Sequence, residues 1–172
     1  KILSVLLLSL LFLQAHAAKV DTGDPELDAI FETLVGTNFK SKEESLKRLA
    51  ETDHPKRFEM IQGVFDGSLR LNKKSKRLVW AEQQDKKYVA VDVLTGESLG
   101  EFSKRKLKKL SINNQLRGVI NAILAARDLQ GDDPALRLQA VETMLANPAP
   151  EHAGILEPLI KKEPDEKVRG AM

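Results

Sequence analysis

Cysteine is absent from this chain of 172 residues, which excludes disulfides, thiolate metal sites and a cysteine nucleophile and leaves stability to apolar packing. Aromatics are scarce, with one Trp, one Tyr and six Phe. The three histidines, His16, His54 and His152, lie far apart, and none stands in a His-Glu-x-x-His spacing that sets two ligands on one helix face. His54 and His152 read as surface residues of inter-helix turns. Gly96-Glu97-Ser98-Leu99-Gly100 lacks the Lys-Ser/Thr of a phosphate loop. The acid pairs Glu43-Glu44 and Asp132-Asp133 lack the alternating oxygen ligands of a calcium loop and read as helix-capping groups. These absences argue against an enzyme and against a resident cofactor or metal. A stretch of about 20 apolar residues, the length of a spanning helix, is also missing.

The N-terminus has a basic Lys1, an apolar run over residues 2–13, and then Ala15-His16-Ala17, with small residues where a signal peptidase reads them. This pattern predicts export, with cleavage between Ala17 and Ala18. The alternative is an uncleaved anchor, for which a run of about 12 residues is short. Removing 17 of the 172 residues leaves 155, enough for one domain with its own core.

Asp24-Pro25-Glu26 supply a cap, a first-turn proline and a first-turn acid. Leu27, Ile30, Phe31 and Leu34 follow at helical spacing, with Gly36 as the stop. A second helix is expected from Ser41, with Glu44 completing a capping box and Leu46, Leu49 and Ala50 facing inward. Past Asp53-His54-Pro55, a third carries Phe58, Ile61, Val64 and Phe65 as far as Asp66-Gly67. The arrangement returns 95 positions later: an Asp before Pro134, then Val141, Met144 and Leu145, a break at Pro148 and Pro150, and Leu156, Leu159 and Ile160. Pro164-Asp165-Glu166 opens one more helix.

Between the repeats the period changes. Leu69, Leu71, Leu78, Val79, Trp80, Tyr88, Val89, Val91 and Val93 predict two or three short antiparallel strands, with Trp80 and Tyr88 packed across them. Leu94-Thr95-Gly96-Glu97 makes a turn with positive φ at Gly96. Ser103 is expected to cap a short basic helix. From Ser111 or Asn113 the longest helix carries Ile112, Leu116, Val119, Ile120, Ile123 and Leu124 as one stripe. The expected fold is mainly α: HEAT-like helical hairpins with a small antiparallel β insert and a long central helix. Its regions would be 18–68 for the first helical repeat, 69–102 for the insert, and 103–172 for the long helix and second repeat.

Charge is uneven. Residues 69–110 hold twelve Lys or Arg against five Asp or Glu, a net +7 in a chain of net +2. Lys73, Lys74, Lys76 and Arg77 crown the hairpin, and Lys104, Arg105, Lys106, Lys108 and Lys109 coat the basic helix. A solvated face is the plain reading. Lys104, Arg105, Lys108 and Lys109 are the candidates for contact with an anionic membrane surface or a partner. Nucleic acid is a poor fit for an exported chain.

Two motifs carry a family resemblance: Thr95-Gly96-Glu97-x-Leu99-Gly100 and, after the basic segment, Asn113-Asn114-x-Leu116-Arg117. They resemble the extracytoplasmic N-terminal extension of the permease subunit of bacterial urea ABC transporters, a branch of the branched-chain amino-acid permease group. The resemblance implies a periplasmic segment of an inner-membrane importer whose conducting region follows Met172. Its partners would be the other importer subunits and the substrate-binding protein. Lys1 is not an initiator methionine, so this reading expects both ends to be truncated. The reading from another class is a free periplasmic HEAT-repeat adaptor.

N-terminal sequencing of protein recovered from the periplasm should find the mature chain starting at Ala18, whereas retention of residues 6–13 would identify an anchor.

Overall fold

In the computed structural model, which describes residues 20–146, 148 and 150–172 with the side chains of residues 150 and 151 left aside, helix α1 (Pro25–Leu34) starts as its sequence dictates. Asp24 Oδ1 accepts from the backbone N–H groups of Glu26 (2.8 Å) and Leu27 (3.3 Å), and Leu27, Ile30, Phe31 and Leu34 are buried. Helix α2 (Phe39–Glu51) begins two residues before Ser41. Its cap is Asn38, whose side chain accepts from the Ser41 N–H, so the expected Ser41 and Glu44 capping box does not form. Helix α3 (Arg57–Asp66) ends at a left-handed Gly67. The cleavage residues Ala17 and Ala18 lie outside the described part.

The chain then forms five strands rather than two or three: β1 (Leu69–Asn72), β2 (Leu78–Gln84), β3 (Lys87–Asp92), β4 (Ser98–Ser103) and β5 (Leu107–Lys109). They make one antiparallel sheet in the order β4-β3-β2-β1-β5. The expected basic helix is a single 3₁₀ turn, Lys104–Lys106, leading straight into β5. That link shapes the sheet. Laid flat, its two edge strands would stand about 19 Å apart at ~4.8 Å per strand, yet four residue steps from Ser103 to Leu107 span at most about 14 Å. The sheet must curl, and it does so around Val79, Ala81, Tyr88, Ala90 and Leu107, all buried, with Leu99 and Phe102 against them. The cross-strand pair Ala81 and Ala90 keeps this inner face thin. Gly100, at φ +78°, marks the bulge where the pairing shifts register.

The other face of the sheet belongs to the main core. Leu69, Leu71, Leu78 and Val93 pack with the stripes of α1, α2 and α3 and with Leu116, Ile120 and Leu124 of α4 (Asn114–Asp128). Trp80 joins them over Gly63, where a Cβ would collide with the indole and with Leu69. A mainly α, HEAT-like fold with a small insert is therefore incorrect. The described residues form a mixed α/β fold of seven helices and a five-stranded sheet, because the sheet supplies one wall of the core that stacked repeats would otherwise close.

Helix α5 (Pro134–Ala146) does follow α2 by 95 positions. With α6 (Pro150–Ile160) and α7 (Glu166–Ala171) it builds a second cluster from Ala125, Leu129, Ala140, Val141, Met144, Leu156 and Val168. Leu145, expected inside, is 55% exposed. Helix α4 serves both clusters. A buried ion pair closes the second one: Arg137 donates to both oxygens of Glu163 at 2.8 Å, and also to the carbonyls of Gly131 (2.9 Å) and Asp132 (2.8 Å). Hydrogen bonds from Arg137 outweigh burial and hold the Glu163 carboxyl below its ordinary pKa. In the first core Lys42 of α2 is 1% exposed, with its ammonium on the Ser111 carbonyl (2.7 Å) and hydroxyl (3.1 Å). Burial, and then the charge of Lys108, push its pKa down.

Ile120 is fully buried at the centre of α4, so Ile120→Ala should cost about 2–5 kcal/mol in denaturant melts; a loss under about 1 kcal/mol would mean that the core repacks around it.

Candidate functional site

Two turns of the sheet are built alike. Each starts at a residue ending a strand, Asn72 of β1 or Asp92 of β3, whose side-chain oxygen turns back on the chain. Asn72 Oδ1 accepts from the N–H groups of Lys74 (3.0 Å) and Ser75 (3.3 Å), and Asp92 Oδ1 from those of Leu94 and Thr95 (3.0 Å each). Four residues on, the N–H of Lys76 donates to the Asn72 carbonyl (2.8 Å), and that of Gly96 to the Asp92 carbonyl (3.0 Å). Both of these residues take positive φ, 60° and 72°. Glycine does so freely, while Lys76 does so at a cost. Asp92 is 2% exposed, and Arg77 Nε lies 3.3 Å from its Oδ2, which ties one turn to the other. Burial pushes the Asp92 carboxyl up, but the donors from Thr95 and Leu94 and the Arg77 charge outweigh it, so its pKa lies below the ordinary value.

The first turn also meets the 3₁₀ turn, since the Lys73 N–H donates to the Lys106 carbonyl at 3.0 Å. Residues up to 33 apart in sequence thus gather Lys73, Lys74, Lys104, Arg105 and Lys106 on adjoining turns, all five exposed. Neither turn contains an acid. None of the five forms an ion pair with another described residue.

Of the residues proposed from sequence, Lys104 and Arg105 belong to this cluster. Lys108 and Lys109 are exposed on β5, but their side chains lie back on the protein. Lys108 donates to the Val35 carbonyl at the end of α1 (2.6 Å), and the end of the Lys109 side chain lies over Gly67, where a Cβ would have to displace it. The four-residue strip is therefore split, and Lys73, Lys74 and Lys106 complete the surface instead. No local signal announces this, because it depends on β1 pairing with β5.

The motif residues behind the family resemblance nearly all have structural work. Thr95 closes the second turn through its N–H and its hydroxyl, which accepts from Glu97 N–H (3.2 Å). Gly96 and Gly100 provide the positive φ of turn and bulge. Asn113 caps α4 by accepting from Leu116 N–H (2.9 Å), Leu116 is buried, and the Arg117 guanidinium lies over the Phe65 ring at 5.1 Å.

Other expectations fare less well. Trp80 and Tyr88 do not pack together: Trp80 pairs with Val91 and Tyr88 with Gln83, which sets them on opposite faces. Tyr88 instead lies under Arg70, 4.2 Å from ring centre to guanidinium, and donates to Gln83 Oε1 (3.0 Å). His54 is half-buried, its Nδ1 accepting from Lys56 N–H. His152 is buried rather than on the surface, and its Nδ1 has no partner among the described residues. Among the described residues no cluster of three or more metal-ligating side chains occurs, and no helix is long and apolar enough to cross a membrane.

Comparisons with protein families, with curated proteins and with solved structures give no match to this chain.

Asp92→Asn tests the turn that orders this end. A carboxyl whose folded pKa is lowered contributes stability that is fully present above its ordinary value of 3.8 and is lost as pH falls through the lowered one. The variant should therefore be less stable at pH 7, and the gap in denaturant midpoint should close on acidification; a constant gap would show that the charge on Asp92 contributes nothing.

Proposed function

We propose that this chain is the extracytoplasmic N-terminal part of the permease subunit of a urea ABC importer, a docking or spacing domain beside the translocation mouth rather than part of the conducting path. The observation carrying this reading is the pair of motifs over residues 95–100 and 113–117, whose residues resemble those of the family. An export leader ahead of the domain fits the same placement. So does the composition, which offers neither a nucleophile nor a metal set while leaving a charged surface available for contact. Urea would pass through a membrane region encoded after Met172, driven by ATP hydrolysed on separate subunits.

Reading the gene past codon 172 tests the proposal directly. The frame should continue into several apolar runs of about 20 residues, and deleting residues 20–172 from that full-length protein should reduce urea uptake by cells without removing the subunit from the membrane. A stop codon soon after residue 172 would leave a free periplasmic adaptor and end the permease reading.

A further inference from the structure

We propose that the adjoining turns carrying Lys73, Lys74, Lys104, Arg105 and Lys106 form a docking surface for the anionic headgroups of a lipid bilayer, so that the domain sits on the membrane by this end of its sheet. The proposal deepens the extracytoplasmic reading above by naming what the charged surface meets.

The charges come first. Five exposed cations stand on two turns without an acid, joined by the Lys73 to Lys106 hydrogen bond, and none is neutralised by another described residue. Residues 69–110 are +7 and the remainder of the chain is −5. An anionic plane therefore attracts this segment and repels the rest, which fixes an orientation as well as an affinity.

Chemistry then separates lipid from other anionic partners. A small anion needs a cleft, and clefts among the described residues are lined by Arg70, Trp80 and Tyr88, or by Arg57, Phe58 and Arg127, away from these turns. Protein contacts are most often anchored by a Trp, Tyr or Arg packed in a desolvated pocket at their centre. Neither turn has such a pocket or an apolar side chain at its surface, the exposed large hydrophobic residues among those described being Phe39, Leu136 and Leu145. Flexible cations without anchor or cleft match a fluid array of phosphates.

Flotation of the purified exported chain with vesicles tests the proposal. Vesicles of phosphatidylcholine with phosphatidylglycerol should bind it at least tenfold more tightly than phosphatidylcholine alone at ~10 mM salt, with the preference shrinking at ~150 mM. Each of Lys73→Glu, Lys74→Glu, Lys104→Glu, Arg105→Glu and Lys106→Glu should weaken binding about fivefold or more. Lys161→Glu, Lys162→Glu and Lys167→Glu, equal charge changes on exposed residues beside α6 and α7, should each change it by under about twofold. Unchanged far-ultraviolet circular dichroism and melting in the variants would show that the fold is kept. Absence of a phosphatidylglycerol preference at low salt overturns the proposal, as does equal loss in the two sets, which would mean a response to net charge alone. Neither result touches the permease reading, which rests on the gene beyond codon 172.

Discussion

The three-residue link between β4 and β5 is the constraint from which the described surface follows. It is too short to cross a flat five-stranded sheet, so the sheet curls and gains an apolar inner face. Its other face is left free to serve as a wall of the helical core. The pairing of β5 with β1 at the end of that link lays Lys106 beside Lys73. Without it the basic residues would form two separate solvated runs, as their sequence positions imply.

Turn chemistry explains why a motif can carry a family resemblance without carrying catalysis. Asn72 and Asp92 perform the same backbone task 20 residues apart, followed by Ser75 or Thr95 and then by a positive-φ residue. A sequence holding Asp-x-x-Thr-Gly at a strand end is under pressure from geometry alone, because a side-chain acceptor, a hydroxyl and a left-handed residue are all needed there. A likeness built on such residues speaks first of shared fold.

Helices were readable where local rules govern them: Asp24, Asn113 and Asp165 cap α1, α4 and α7 by accepting from N–H groups two or three residues on. The sheet was only half readable. In β4 the bulge at Gly100 places Leu99 and Phe102 in one cluster although they are three apart, so the strand shows no alternation. Strand β5 is three residues, two of them Lys, and reads as polar helix. The 95-residue recurrence of helix pairs was real as a pattern, yet it held no information about what fills the space between them. The basic surface was legible in composition and not in geometry, since Lys73 and Lys106 meet through a pairing that no local pattern encodes.

Lys42 gives the first core a built-in chemical reporter. A reagent that acylates amines reaches the exposed lysines of the turns at once, but the Lys42 nitrogen is held on Ser111 beneath α2 and becomes nucleophilic toward solvent only when that helix lifts away. The rate at which this one site is modified therefore measures the opening of the contact between α2 and the start of α4. Labelling of the surface lysines proceeds independently of that event.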